Sequence, residues 1–272
     1  MESVRRFIRD RLGYQSPLYS RAAMLLNDGL LLLRDGIGTY LQIKALQQEP
    51  EVNAPAQAVH FRSLEHPLFL RPGTTDVSAA IQNIIRREYG RYAPKTPPSV
   101  LVDAGAYIGD TTAYFLNKFP GIRSYAIEPS LESMTLARKN LEPYGTRVSF
   151  IAAALNAQGG AVCFGGSDTG ARIGGKDSLE VRAMTIPEVL ALVPEGFIDI
   201  LKLDIEGAEA DIFANNPEQW MPSVGMIIVE PHGAEISKLI VNAMDRNGWT
   251  ARLYRNLFYC WPNKTPAFAE SR

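Results

Sequence analysis

Residues 99–262 predict an open α/β fold around a mostly parallel sheet, and three observations carry that reading. Short apolar runs alternate with helical patterns, the runs are apolar almost throughout, and the first of them enters a glycine turn that opens a helix. The strands expected in order are Val100–Val102, Ser124–Ile127, Val148–Ala153, Ile198–Leu203 and Met226–Val229, closed by an antiparallel ribbon of Ala251–Arg255 and Phe258–Trp261. Between them, Ile108, Thr112, Phe115, Leu116 and Phe119 recur at helical spacing. Leu131, Met134, Ala137 and Leu141 mark a second helix, and Ile236, Leu239, Ile240, Ala243 and Met244 a third, with Gly248 as its stop.

Ahead of this core, two stretches rich in proline and polar residues, 47–60 and 93–99, divide the chain. The expected organisation is a helical N-terminal appendage over 1–60, a lead-in segment over 61–98 and the α/β domain over 99–272. The start carries Arg5, Arg6, Arg9 and Arg11 and then Gly13 and Pro17 without an apolar stretch, which does not read as a signal peptide. Ala22–Leu46 is leucine-rich, but Asn27, Asp28, Arg34 and Asp35 interrupt it well short of the ~20 apolar residues of a membrane span, so it reads as a packing helix. Adsorption to a membrane surface is the minor alternative, and the same stretch is a candidate for homo-oligomer contacts.

The whole 272-residue chain carries a net charge of −1, with 46% hydrophobic and 21% charged residues. That balance suits a globular domain with a sizeable core and lacks the basic excess that phosphate neutralisation demands, which disfavours nucleic acid as the main partner. Cys163 and Cys260 are the two cysteines and have no CxxC spacing, so neither a disulfide framework nor a zinc site is expected, and a reducing, cytoplasmic setting fits.

The chemistry begins at the glycine turn. Strand one runs into Asp103-Ala-Gly-Ala-Tyr-Ile-Gly-Asp110, where Gly105 and Gly109 let the backbone approach a ligand. The second strand ends in Glu128, nineteen residues after Gly109, the placement for a carboxylate that accepts hydrogen bonds from both hydroxyls of a ribose. This is a Rossmann-like nucleoside site. A dinucleotide fingerprint would read G-x-G-x-x-G, whereas Asp103 stands here in the place of the first glycine. A carboxylate is unfavourable beside a pyrophosphate and suits a cofactor bearing an ammonium and a sulfonium, namely S-adenosylmethionine.

Five segments in order, RPGTTDVSAAIQNIIRREY (71–89), VDAGAYIGDTTAYF (102–115), AIEPS (126–130), LKLDIEGAE (201–209) and IIVEPH (227–232), resemble the FkbM family of class I methyltransferases. The resemblance implies a seven-stranded, mostly parallel sheet whose last strand is antiparallel, and O-methylation of a sugar, glycan or polyketide-type hydroxyl in biosynthesis. Its product would be S-adenosylhomocysteine. It places Asp103, Gly105 and Tyr107, with Ala106 between them, at the methionine end of the cofactor, Glu128 at the ribose and Ala153 and Ala154 near the adenine. Ordinary strand packing explains those alanines equally well. Pro129 joins the cofactor set, although with Ser130 it also suits the start of a helix. Arg71, Thr74, Thr75, Asp76 and Tyr89 are expected to cover the cofactor from the other side.

In open α/β sheets ligands lie beyond the carboxyl ends of the strands. Here strand four is followed by Asp204, Glu206 and Glu209 and strand five by Glu230 and His232. An alcohol must lose its proton as it attacks the methyl carbon, so a base is expected, and His232 is the first choice as a neutral imidazole near pH 7. Asp204 is expected to face the cofactor's ammonium or orient the acceptor, with Glu206 and Glu230 on acceptor hydroxyls. The set Asp204, Glu206, Glu230 and His232 also has the donors for a divalent cation such as Mg²⁺, an alternative the sequence leaves open. Glu209 reads either as part of this cluster or as a solvated first-turn carboxylate. His60 and His66 carry no expected chemistry.

Residues 164–178 hold five glycines in fifteen positions and are expected to form either a lid over the acceptor or a surface hairpin. The competing functions are an NAD(P)-dependent oxidoreductase, opposed by the missing glycine, and a non-catalytic protein that keeps the fold.

Overall fold

The computed structural model describes residues 17–48, 54–166, 170–176, 178–264 and 269–270. The arginine-bearing start at 1–11 lies outside them. The chain forms two compact units, residues 1–86 and 87–272.

In the first unit, helix α1 (Pro17–Gln48) is broken at Gly36, whose φ of 86° and ψ of 179° are not helical. Asp28 and Lys44 pair at 2.8 Å, yet sixteen residues of straight helix would hold them about 24 Å apart. The halves therefore fold back on one another. Leu31, Ile43 and Leu46 are buried, while Leu25, Leu33, Ile37 and Leu41 face outward. The expected single packing helix is thus a helical hairpin, because glycine alone reaches the left-handed turn cheaply. The Asp35 carboxylate, buried at the bend, accepts the Arg62 N–H at 2.7 Å. Strands β1 (Gln57–Val59) and β2 (Leu68–Leu70) pair antiparallel. After them comes helix α2 (Asp76–Ala80). Among the described residues no helix is long and apolar enough to cross a membrane.

The second unit contains β3 (Val100–Ala104), α3 (Asp110–Lys118), β4 (Arg123–Ile127), α4 (Leu131–Leu141) and β5 (Val148–Ile151). A smaller sheet follows, made of β6 (Ala154–Leu155), β7 (Gly160–Gly165), β8 (Arg172–Ile173) and β9 (Leu179–Met184). The chain then returns through α5 (Ile186–Leu190), β10 (Ile198–Leu203), α6 (Glu209–Ala214), β11 (Val224–Val229), α7 (Ala234–Arg246), β12 (Trp249–Tyr254) and β13 (Leu257–Pro262).

The seven-stranded sheet has the order β12-β13-β11-β10-β3-β4-β5 and is the mostly parallel, Rossmann-like sheet expected. Its one antiparallel strand, β13, is last in sequence and is inserted between β11 and β12. Helices cover both faces, so Val102, Ala104, Leu201, Leu203, Ile227 and Val229 are all buried and the strands have no polar face to alternate with. From β3 the chain steps to β4 and β5 on one side, then crosses back to β10 and β11 on the other. The carboxyl ends of β3 and β10 therefore flank the point where the connections diverge, and the loops there part to leave a crevice.

Leu201 is fully buried in the central strand, paired in register with Val102 and Ile227. Leu201→Ala should cost about 2–5 kcal/mol, read as a lowered urea midpoint with an unchanged slope.

Candidate active site

Strand β3 leaves the sheet at Gly105, whose φ is 75°. A Cβ there would lie 1.8 Å from the Asp204 carbonyl oxygen, so glycine is needed for the contact between the two strand ends as much as for any ligand. Gly109, at φ 81°, serves packing: its Cβ would meet Leu141 Cδ1 of α4 at 2.7 Å. The N–H groups of Gly105 and Ala106 both donate to Ile127 O at 3.0 Å, which ties the turn to the end of β4. Tyr107, at φ 50°, turns its N–H onto Glu128 Oε2 at 2.9 Å, and Ser130 N–H reaches Glu128 Oε1 at 2.9 Å. Glu128 is thus held by one donor on each oxygen. Burial raises its pKa, and the two backbone hydrogen bonds oppose that rise.

These groups border a cleft of about 620 Å³ including its open mouth, a size that suits a cofactor. Its walls are Gly105, Tyr107, Glu128, Pro129, Ala153, Ala154, Asp204 and Glu206, with Phe164, Ala171 and Ile173 from the glycine-rich stretch. That stretch is a β-hairpin, with Phe164 opposite Ile173 and Gly165 opposite Arg172; its residues 167–169 and 177 lie outside the described residues. Ser130 caps α4 by accepting the Ser133 N–H at 3.2 Å.

Two expected cofactor residues stand elsewhere. Ala106 is buried behind the turn. Asp103 is wholly buried and turned into the sheet, where Thr112 Oγ1 donates to its Oδ2 at 2.6 Å and Lys202 Nζ lies 3.2 Å from its Oδ1. The carboxylate that sequence spacing offers to an ammonium is answered by a lysine of the protein itself. Lys202 pairs with Asp103 in register across β10 and β3, donates to Gly105 O at 2.6 Å and lies 3.6 Å from Asp204 Oδ2. Burial lowers its pKa, but Asp103 and Asp204 outweigh burial and raise it, so it stays charged. Sequence reading missed Lys202, and the signal was there: a lysine inside an otherwise apolar central strand needs a buried partner.

Asp204 Oδ2 also accepts the Tyr89 hydroxyl at 2.8 Å, and Tyr89 is itself buried. Burial, followed by the Asp204 charge, raises the Tyr89 pKa. Arg71, Thr74 and Asp76 are bound to one another at the start of α2: the Arg71 guanidinium meets both oxygens of Asp76 at 2.9 Å, and Asp76 N–H donates to Thr74 Oγ1 at 3.2 Å. Thr75 there accepts the Ala79 N–H at 3.0 Å.

At the ends of β10 and β11 the acidic residues and the histidine converge. His232 Nε2 is 3.4 Å from Glu206 Oε2 and 3.7 Å from Asp204 Oδ1, while Nδ1 is 3.0 Å from Glu209 Oε1. Ligand atoms of Asp204, Glu206 and His232 lie within 4.8 Å of one another, so the three could hold a divalent cation. The expected neutral imidazole needs correction. Burial lowers the His232 pKa, but hydrogen bonds to Glu206 and Glu209 and the charges of both outweigh it and push it up to about 11, so the ring is an imidazolium at neutral pH. Glu230 is outside the cleft wall and hydrogen-bonded to Asn256. Burial and the neighbouring Asp204 raise its pKa to about 7.

The family model of the methyltransferase FkbM domain matches residues 103–245, which contain the turn, Glu128 and the whole carboxylate–histidine cluster. No curated protein matches in sequence. Among solved structures the chain is similar to precorrin-6y C5,15-methyltransferase from Geobacter metallireducens GS-15, at 14% identity and TM-score 0.40 over 61% of this chain and 80% of that one. It is also similar to TrmK of M. capricolum, solved in complex with S-adenosyl-homocysteine, at 11% identity and TM-score 0.37 over 64% of this chain and 65% of that one. Neither likeness says what this chain acts on.

Lys202→Met leaves Asp103 in the sheet without its cation, with Thr112 as its remaining side-chain donor, and should lower stability by about 3–5 kcal/mol, measured by urea unfolding. Adding Asp103→Asn should recover part of that loss, which a purely steric effect of the methionine would not allow.

Proposed function

The chain belongs to the FkbM family of S-adenosylmethionine-dependent methyltransferases, and from that premise we propose that it methylates a hydroxyl oxygen on a sugar, glycan or polyketide-type acceptor. The observation that carries this reading is the meeting, at one cleft, of a buried ribose-type carboxylate with a carboxylate–histidine cluster on the neighbouring strand ends.

The residues fit the cofactor. Glu128 keeps a free lone pair on each oxygen for the ribose hydroxyls, Gly105 and Tyr107 border the methionine end, and Ala153 and Ala154 leave room for a flat base beside Pro129. Bound S-adenosylmethionine supplies a methyl carbon already activated by its sulfonium, so the protein's contribution is alignment and removal of one proton. With Asp103 occupied by Lys202, Asp204 is the carboxylate left to face an ammonium, and its Oδ2 is held by Tyr89 and Lys202. Glu206 Oε2, on the cleft wall, takes the proton of the acceptor hydroxyl, and the His232 imidazolium beside it holds that carboxylate in place. Glu230, outside the cleft wall and bonded to Asn256, is given no acceptor contact.

A second reading follows from the convergence of Asp204, Glu206 and His232: a divalent cation with an oxygen-rich donor set would displace the His232 proton. Chelation with EDTA followed by return of Mg²⁺ or Mn²⁺ separates the two, since the proton-transfer reading expects turnover to survive chelation.

Calorimetry with S-adenosylhomocysteine tests the cofactor site. Glu128→Ala should weaken binding by about 100-fold, the loss of two hydrogen bonds to a charged group, whereas His232→Ala should bind normally and fail to release S-adenosylhomocysteine when offered hydroxylated acceptors. Stabilisation by NAD(H) with none by S-adenosylhomocysteine would overturn the reading in favour of an oxidoreductase.

Acidity offers a separate check. Glu128 has to be ionised to accept from the ribose, and burial raises its pKa, so affinity should fall on acidification from a pH above the ordinary carboxylate range. An affinity that stays flat until the ordinary range would remove Glu128 from the site.

A further inference from the structure

We infer that Glu209 is the positioning residue of the acceptor end, a single buried carboxylate that shapes the Asp204–Gly207 loop and aims the His232 ring. The inference rests on the methyltransferase reading only for the reaction it serves.

Glu209 is wholly buried and does not border the cleft, so it touches neither cofactor nor acceptor. Its Oε1 accepts the Ile205 N–H at 2.9 Å and its Oε2 the Gly207 N–H at 2.9 Å. Between those donors Glu206 adopts φ 53° and Gly207 φ 105°, left-handed conformations that the loop needs in order to wrap around the carboxylate. The same Oε1 receives the His232 Nδ1–H at 3.0 Å, so the ring can present only Nε2 to Glu206 and Asp204. One side chain thus links the loop after β10 to the end of β11, and the two groups it orients meet at 3.4 Å. A glutamine cannot replace it, because its amide nitrogen would face either a backbone N–H or the ring N–H, donor against donor.

The test is proton NMR of the histidine rings, with S-adenosylhomocysteine calorimetry beside it. The chain has three histidines, so His232 is assigned by its absence in His232→Asn. At neutral pH the wild-type protein should show a downfield Nδ1–H of His232 protected from exchange. Glu209→Gln should lose that signal or its protection while the chain keeps its far-ultraviolet circular dichroism and cooperative urea unfolding. An unchanged ring signal in the folded variant overturns the inference, and so does loss of ring signal together with cooperative unfolding, which would mean general collapse. Should Glu209→Gln fail to fold, the wild-type spectrum still decides, since a freely exchanging Nδ1–H excludes the contact. If the wild-type protein binds no S-adenosylhomocysteine, the methyltransferase reading fails while the ring result stands by itself.

Discussion

A lysine placed inside a parallel sheet covered by helices has no water to turn to, and the site is built on the answer it receives. Lys202 meets Asp103 at 3.2 Å across the two strands where the sheet's connections diverge, and it donates to Gly105 O at 2.6 Å. The 3.2 Å approach is an ion pair more than an aligned hydrogen bond, while Thr112 supplies the aligned one at 2.6 Å. Neither charge would be tolerable alone at that depth, because the low-dielectric interior that strengthens the pair also makes either partner costly without the other. The pair sits where the ladder of β3 and β10 runs on to Asp204 N–H on Ala104 O at 3.2 Å, so close that residue 105 has no room for a Cβ.

From that pairing the cleft takes two chemically distinct ends. Towards β4 and β5 the walls are glycine, proline and alanine around one carboxylate, Glu128, whose two oxygens are each held by a backbone N–H. Towards β11 they carry Asp204 and Glu206, with Glu209 and Glu230 close by but off the wall, and this negative charge is met by Lys202 and His232. The first end surrounds a single buried charge with small side chains, and the second sets several carboxylates close together.

The charge balance at the second end also decides protonation. An isolated histidine is a neutral base near pH 7, but one with Glu209 on one nitrogen and Glu206 on the other keeps both protons. The base proposed for the acceptor proton is therefore a carboxylate, with the ring as the cation beside it.

Much of this was legible in the sequence because its signals are local. Continuous apolar runs placed the strands of the main sheet, with Ile198–Leu203 matching strand β10 residue for residue, and the turn at Gly105 with Glu128 further on pointed to two groups that do line one cleft. The smaller sheet of β6 to β9 was not legible, since its short, glycine-rich strands carry little apolar pattern. Three assignments needed the tertiary structure: Asp103 faces Lys202, Glu209 is buried under its own loop, and His232 is charged. Periodicity along a chain tells which positions leave water, but which polar groups meet there depends on strand register and on loops folding over one another, and that information exists only once the chain has closed on itself.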